Sequence, residues 1–380
     1  MLQGHYTPPP AQEVIYGQPV ADALAATIAA RGACRVVFVT NTSLAAPGRL
    51  GESVRAALGA ACVGEVTGIG AHSPRSDVIR LAATLAGQGA DFVVALGGGS
   101  VCDAVKAATL CLANAVDTVA GIDALAPGAA TAAPTLPWVA VPTTLSAGEF
   151  TDFAGVTDER VPRKEVLYRR GMAPPLVILD PAMTVATPPR LWFGTGIRAV
   201  DHAVETYCSV NATPMAEALA LHALGRLPHA LARVREDGDD LTARLDCQLG
   251  AWLSVQGVAA GVDLGASHGI GHVLGGTAGM PHGETSCVML PHVLRYNHAV
   301  NGARQAALAA NMGDAATPLA DQVAALVAAL GLPGRLRDAD VPRERLAMIA
   351  EESLRDRWVT TNPRPLDGAP AVLALLEAAW

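Results

Sequence analysis

The segment "VVALGGGSVCDAVKAATL", residues 93–110, carries the clearest fold signal in the chain. It starts as a short apolar run, passes through three glycines and a serine, and continues with apolar residues at helical spacing. A short apolar run that ends in glycine indicates a buried strand, and the spacing after it indicates an amphipathic helix. We therefore predict a strand, a tight glycine loop and a helix, which is one repeat of a parallel α/β sheet.

The same alternation extends over the first half of the chain. Strand-like runs are "RVVFVT" (35–40) and "WVAVPTT" (138–144), and helix-like runs are "VADALAATIAARG" and "SDVIRLAATLAGQG". From about Pro188 onward the apolar residues recur only at helical spacing, which predicts an all-α domain. We therefore expect an α/β domain over residues 1–185 and a helical domain over 186–380, with a boundary near "LDPAMTVATPP" and a cleft between the two.

Composition places the function in a pocket. Hydrophobic residues make up 51% of the 380-residue chain, charged residues 16%, and the net charge is −8, which argues against a nucleic-acid-binding protein. We find neither a signal peptide nor an apolar run long enough for a membrane span, and we expect a cytoplasmic protein. The seven cysteines have no C-x-x-C spacing, which favours reduced thiols.

The glycine loop is suited to a phosphate, because glycines allow close backbone approach and a helix N-terminus attracts anions. A plain strand-to-helix turn is the alternative. The loop "PTTLSAGEF" follows another strand and offers hydroxyls at Thr143, Thr144 and Ser146, which favours the phosphate or ribose site. Asn41 follows the "RVVFVT" strand, where an amide would hold ribose hydroxyls without repelling a 2′-phosphate; an ordinary loop asparagine is the alternative.

Half of the ten histidines lie in one segment, "SHGIGHVLGGTAGMPHGETSCVMLPHVLRYNH". His268 and His272 share a helix face at i, i+4, and the loop "GGTAGMP" can return His282 toward them. His202, from "GIRAVDHAVE", can join them. Converging imidazoles are typical of metal ligation or proton transfer, and buried core histidines are the alternative. We expect His292 to be structural and His298 to be exposed.

Taken in order, these motifs resemble the iron-containing alcohol dehydrogenase superfamily over most of the chain. "HVLGG", "PHGET" and the "HSP" at residues 72–74 are most similar to its maleylacetate reductase branch. The resemblance implies a Rossmann-like domain for NAD(H) or NADP(H), a helical domain of the dehydroquinate synthase-like architecture, and hydride transfer in the cleft. The nucleotide site then comprises Asn41, Gly98, Gly99, Ser100, Asp103, Thr143, Thr144, Ser146 and Lys164.

In metal-dependent members of this superfamily an aspartate and three histidines hold the ion. The resemblance places the three histidines at His202, His268 and His282, and gives His272 a substrate or proton-transfer role. Arg198 stands at the aspartate position. A guanidinium has no lone pair to donate, and two unit charges ~4 Å apart repel by about 4 kcal/mol at an effective dielectric of 20.

We therefore predict no metal. Two alternatives stay open: three histidines alone hold zinc, or Asp201 or Glu205 replaces the missing carboxylate. Asp201 at i, i+3 is also a possible partner for Arg198. In the metal-free hypothesis Arg198 binds and polarises an anionic substrate.

The predicted function is an NAD(P)H-dependent reductase resembling maleylacetate reductase, which converts maleylacetate to 3-oxoadipate, or acting on a related small anionic acid. His272 is the predicted proton donor, and His202, His268 and His282 line the anion pocket. Arg198 departs from the neutral residue expected in that branch. A homodimer that binds neither nucleic acid nor membrane is expected. Rival hypotheses are a metal-dependent alcohol or aldehyde dehydrogenase, a dehydroquinate synthase-like cyclase, and a nucleotide-binding homologue without turnover.

Overall fold

The structure is a computed structural model that describes residues 6–160 and 163–380, with the side chains of residues 163 and 164 outside the description. The chain divides into two compact units, Pro10–Thr187 and Pro188–Trp380. The division falls inside the segment 179–189 that the sequence marks as a boundary.

The first unit is an α/β unit. Its elements in chain order are β1 (Glu13–Tyr16), α1 (Val20–Arg31), β2 (Val36–Thr40), α2 (Thr42–Ala45), α3 (Leu50–Leu58), β3 (Cys62–Val66), α4 (Arg75–Gly87), β4 (Phe92–Gly97), α5 (Gly99–Ala113), β5 (Trp138–Pro142), β6 (Phe153–Asp158), β7 (Arg163–Tyr168) and β8 (Leu176–Leu179). Within the described residues, six of these strands form one parallel sheet in the order β1-β8-β5-β4-β2-β3.

The strands that the apolar runs predict lie side by side in this sheet. β2, β4 and β5 are buried along their whole length, because helices cover both faces of a parallel sheet. Phe38, Leu96 and Val141 contribute to a core that also takes in Leu24 of α1. The predicted α/β fold is confirmed. The antiparallel pair of β6 and β7 was not predicted.

The second unit contains helices and no β-strand over its described residues. It contains α6 (Pro189–Cys208), α7 (Pro214–Glu236), α8 (Leu241–Ala259), α9 (Ala266–Ala278), α10 (His282–Asn311), α11 (Leu319–Ala329), α12 (Leu346–Ser353), α13 (Arg357–Thr360) and α14 (Ala369–Ala379). The sequence predicts a loop over "GGTAGMP", but α9 continues to Ala278, and the loop comprises only residues 279–281. None of the helices over the described residues is long and apolar enough to span a membrane.

Glycine allows α6 and α10 to approach closely. A Cβ atom on Gly283 would lie 2.6 Å from the backbone carbon of Gly194, which real side chains do not allow. A second close approach lies on α9, where a Cβ atom on Gly271 would lie 2.7 Å from Thr285 Oγ1 and 3.5 Å from Arg198 Nη1. These glycines let α6, α9 and α10 bring their polar side chains together.

Candidate active site

Arg198 lies in the middle of α6 and is only 4% exposed. Its Nη1 donates to Ser286 Oγ at 3.1 Å and its Nη2 to His282 Nε2 at 2.7 Å. Burial lowers the pKa of Arg198 to about 10, although the charges of Asp201, Glu205 and Asp356 oppose that shift. The guanidinium therefore keeps its positive charge at neutral pH and is a fixed buried cation.

The bond to His282 determines what that imidazole can bind. A guanidinium nitrogen only donates hydrogen bonds, so His282 Nε2 must be the acceptor. The lone pair that a metal ion would take from this nitrogen is already engaged by Arg198. The residues at the family's metal-ligand positions therefore do not fit a divalent cation in this arrangement.

His202 and His268 form the second part of the cluster. Their rings stack with centroids 4.8 Å apart, and both side chains are buried. Burial, with the charges of His268, Arg198 and His272, holds the pKa of His202 well below its ordinary value. His202 Nδ1 and His268 Nε2 have no hydrogen-bond partner among the described residues. Unpaired buried nitrogens cost free energy, and this is typical of sites that bind a ligand.

The carboxylates of Glu205 and Asp201 both lie near Nδ1 of His268. Glu205 accepts hydrogen bonds from the backbone N–H groups of Gly265, Ser267 and His268, and from His268 Nδ1 at 2.8 Å. Asp201 Oδ2 accepts from Ser267 Oγ at 2.7 Å and lies 3.3 Å from His268 Nδ1. Asp201 and Arg198 make no direct hydrogen bond or ion pair in the described structure, because Arg198 bonds α10 and Asp201 bonds Ser267. The charge of Arg198 nevertheless lowers the pKa of Asp201.

Asp201, Glu205 and His268 also form a possible metal-binding group, since their ligand atoms all lie within 4.8 Å of one another. The donor types suit zinc or iron. However, the 2.8 Å between His268 Nδ1 and Glu205 Oε2 is a hydrogen-bond distance. Two ligands at about 2.1 Å from one ion would stand farther apart than this. The geometry is that of a carboxylate that orients an imidazole.

His272 lies one turn after His268 on α9, with 32% of its side chain exposed. Its ring stacks on His282 at 5.5 Å and packs on Trp358 at 5.0 Å. His272 Nδ1 lies 2.8 Å from Asp356 Oδ2. Burial lowers the pKa of His272, while the Asp356 carboxylate opposes that shift.

The structure thus brings together all five predicted residues of the helical unit. It adds three residues that were not predicted: Ser286, Asp356 and Trp358. Ser286 lies four residues after His282, so the i, i+4 rule could have found it. Asp356 and Trp358 lie about eighty residues further along the chain, where no local pattern links them to the histidines.

The glycine loop and the hydroxyl loop meet in the α/β unit. A Cβ atom on Gly98 would lie 2.9 Å from Thr144 Cγ2, and one on Gly99 would lie 3.2 Å from Ser146 Oγ. Thr144 Oγ1 is 3.3 Å from Ser146 Oγ. Glycines at these two positions let the hydroxyl loop pack against the start of α5, where N–H groups and hydroxyls can bind phosphate oxygens. These residues fit a dinucleotide.

The other predicted nucleotide residues have structural contacts of their own. Thr143 donates its backbone N–H to Gly97, and Ser100 Oγ accepts the backbone N–H of His72 at 2.9 Å. Asp103 Oδ2 accepts from the backbone of Gly155 at 3.0 Å. Lys164 pairs with Thr157 through β7, and its side chain lies outside the described part of the chain. Their roles as cofactor ligands stay predictions.

Asn41 lies at the carboxyl end of β2 and caps α2. Its Oδ1 accepts from Leu44 N at 3.0 Å and from Ser43 Oγ at 2.9 Å. The side chain therefore has a structural role in the loop, as the alternative interpretation proposed. That role is compatible with the predicted contact to a ribose, which stays a prediction.

Comparison with known proteins identifies the family. Residues 10–181 match the family model for iron-containing alcohol dehydrogenase, and residues 193–380 match the C-terminal model of the same family. The chain belongs to the iron-containing alcohol dehydrogenase family. It is therefore an oxidoreductase, and the predicted resemblance is confirmed. The family name implies a metal, whereas Arg198 stands at the position of a metal-binding aspartate and cannot ligate an ion.

Individual members of the iron-containing alcohol dehydrogenase family are similar over most of their length. Dehydrogenase ALT3 of Alternaria alternata is 36% identical over 372 residues, covering 87% of this chain and 95% of that protein. Maleylacetate reductase of Burkholderia cepacia is 31% identical over 370 residues, covering 97% and 95%. The crystal structure of maleylacetate reductase from Agrobacterium tumefaciens has a TM-score of 0.84 at 26% identity, covering 100% and 99%.

Proposed function

We propose that the protein is an NAD(P)H-dependent, metal-independent reductase of a small anionic unsaturated or oxo acid. Maleylacetate, reduced to 3-oxoadipate, is the first substrate to test. The similarity to maleylacetate reductase over 97% of the chain supports the substrate class. The proposal also retains the cytoplasmic location and the homodimer, which stay predictions.

One observation carries the proposal: the buried guanidinium of Arg198 engages the Nε2 lone pair of His282 at 2.7 Å. A cation fixed at this point attracts a carboxylate and repels a divalent ion. The low pKa of His202 points the same way, because a neutral imidazole beside Arg198 leaves the guanidinium as the main positive charge on that side.

Residues of this chain then have separate roles in binding and catalysis. Arg198 binds a carboxylate or stabilises the negative charge that develops on an oxygen. His272 delivers the proton that completes the reduction. Gly98, Gly99, Thr144 and Ser146 would hold the dinucleotide phosphates. When bound, the nicotinamide supplies the hydride.

Metal analysis and turnover test the proposal together. Purified protein is assayed for iron and zinc, treated with EDTA, and offered NADH or NADPH with maleylacetate or a simple aldehyde. We expect less than stoichiometric metal, oxidation of the nicotinamide with the acid, and the same rate after EDTA. Binding of cofactor with no turnover of any anionic acid would instead support the altered nucleotide-binding homologue.

A metal-dependent alcohol or aldehyde dehydrogenase is the second candidate. The buried nitrogens His202 Nδ1 and His268 Nε2 favour it, since neither has a hydrogen-bond partner among the described residues. This candidate predicts stoichiometric metal, activity with the aldehyde, and loss of activity in EDTA that zinc or iron restores. The two candidates therefore give opposite results in the same assay.

A further inference from the structure

Asp356 uses its two carboxylate oxygens for two different tasks. Oδ1 accepts the backbone N–H of Trp358 at 2.9 Å and caps α13. Oδ2 lies 2.8 Å from His272 Nδ1. The cap holds the carboxylate in place, and the second oxygen is directed at the imidazole.

The segment around α13 is fastened closely to α9. A Cβ atom on Gly269 would lie 2.8 Å from Val359 N and 3.0 Å from Asp356 Oδ1, so only glycine allows this approach. Gly269 stands between His268 and His272 on the helix. Thr361 Oγ1 also donates to Leu264 O at 2.7 Å, just before α9 begins. The position of Asp356 is therefore set by backbone packing as well as by its bond to His272.

The His272 ring packs against two neighbouring rings in addition to its bond at Nδ1. Its centroid lies 5.5 Å from that of His282, with the planes 5° apart, and 5.0 Å from that of Trp358. Two flat neighbours restrict rotation of the ring. The remaining freedom is the choice of tautomer, which a carboxylate opposite Nδ1 decides by requiring a proton there.

We propose that Asp356 is a positioning residue for the reaction: by accepting Nδ1–H of His272, it fixes the tautomer and orientation that make Nε2 the atom that exchanges a proton with the substrate. This inference rests on the proposed function, in which His272 is the proton donor. During reduction the imidazolium form of His272 gives its Nε2 proton to the substrate and becomes the neutral Nδ1–H tautomer, whose Nδ1–H still donates to Asp356. A proton taken up from solvent at Nε2 then re-forms the imidazolium for the next turnover, because the side chain of His272 is partly exposed.

Asp356→Asn is the sharpest test, because asparagine caps a helix as well as aspartate does. Its Oδ1 can keep the bond to Trp358 N, while its amide nitrogen places a donor opposite His272 Nδ1. We expect the proton of the neutral ring to move to Nε2. We expect kcat to fall by about tenfold to a hundredfold, as for other residues that orient an imidazole, with KM for the acid and NAD(P)H affinity within about twofold.

Asp240→Asn is the matched control. Asp240 caps α8 in the same unit through a bond to Ala243 N at 2.9 Å, and its other oxygen bonds Arg233 rather than a histidine. We expect this variant to keep the parent's kcat and the parent's histidine spectrum. A second variant, Gly269→Ala, leaves every charge in place and pushes the α13 segment away from α9. It should lower kcat in the same direction as Asp356→Asn.

The readout besides activity is the ¹⁵N spectrum of histidine-labelled protein, in which the His272 signals are identified by their loss in His272→Asn. We expect an Nδ1–H tautomer in the parent and an Nε2–H tautomer in Asp356→Asn. An unchanged tautomer, or an unchanged kcat in an active enzyme, overturns the inference. If the parent reduces no acid, the proposed function fails, and the spectrum still decides whether Asp356 sets the tautomer.

Discussion

Glu149 in the α/β unit and Asp201 in the helical unit are both buried carboxyl groups, with 3% and 0% of their surface exposed. Burial raises the pKa of Glu149 to about 7, although the charge of Lys106 opposes that shift. Burial also acts on Asp201, yet its pKa lies below the ordinary value because His268 and Arg198 stabilise the charged form. The two carboxyl groups are almost equally buried, yet their pKa values shift in opposite directions.

The difference shows what His268 and Arg198 contribute to the helical unit. Loss of water disfavours a charged carboxylate, and nearby opposite charges together with hydrogen bonds to the carboxylate can reverse that effect. The helical unit keeps charged groups inside its core by placing cations and carboxylates against each other. Arg198 is the cation of this site that the carboxylates do not contact directly, and we propose that it binds the further anion.

The largest expected effect comes from removing that cation. Arg198→Ala and Arg198→Lys should both lower kcat/KM for the anionic acid about thirtyfold or more, since losing a buried charge-assisted contact costs about 2 to 5 kcal/mol. Lysine should not restore activity, because a point charge lacks the planar fork. NAD(P)H affinity, read by fluorescence titration, should stay within a few-fold.

Arg190→Ala is the control for this pair, because Arg190 also joins α6 to α10, through a bond to Glu284 Oε2 at 2.8 Å. It should leave kcat/KM nearly unchanged. A parent-like rate in Arg198→Ala would mean that the arginine only connects the two helices.

The next effect is on stability. The pKa of Glu149 is about 7 in the folded chain against an ordinary 4.5, so the folded state holds a proton that the unfolded state releases between those values. The contribution of Glu149 to the free energy of unfolding therefore falls as pH rises through that window. Glu149→Gln should be more stable than the parent at pH 8 by up to about 3 kcal/mol, and equal to it near pH 4.5.

Urea unfolding at both pH values measures this difference. The exposed residue Glu351 provides the control, since Glu351→Gln should show no gap that depends on pH. A constant gap in Glu149→Gln across the two pH values would show that the Glu149 carboxyl is not held protonated by burial.

The smallest effect comes from adding a carboxylate where water can reach it. Asn41 is half-buried and caps α2 through Oδ1, a bond that aspartate can also make. The new carboxylate in Asn41→Asp should therefore be charged and repel a 2′-phosphate. We expect kcat/KM for NADPH to fall by a few-fold to about tenfold, while kcat/KM for NADH changes little. Equal losses with both cofactors would show that residue 41 does not face the ribose.

The sequence predicted those features that depend on local spacing. The strands β2, β4 and β5 follow from short apolar runs, and the glycine loop follows from the three glycines that end one of them. The shared face of His268 and His272 follows from their i, i+4 spacing. β1 and β8 have only four residues each, and β3 contains a glycine and a glutamate, so their patterns were too short or too mixed to predict.

The chemical state of the site depends on contacts between distant segments. Nothing near Arg198 in the chain predicts that it bonds Ser286 and His282, or that Asp201 turns to Ser267 instead. Asp356 reaches His272 only because Gly269 allows α13 to pack on α9. The fold was predictable from pattern, whereas the pairing of charges required the packing of α6, α9, α10 and α13.

The central claim is that Arg198 takes the place of a metal ion, and zinc titration of the parent and of Arg198→Asp, both freed of metal with EDTA, tests it most directly. The variant restores an aspartate beside His202, His268 and His282 and frees His282 Nε2 from its arginine. We predict that Arg198→Asp binds one zinc ion per chain in calorimetry, that adding His282→Ala to the variant weakens this binding, and that the parent shows no stoichiometric binding. Stoichiometric binding of zinc by the parent, as tight as that of Arg198→Asp, would contradict the account.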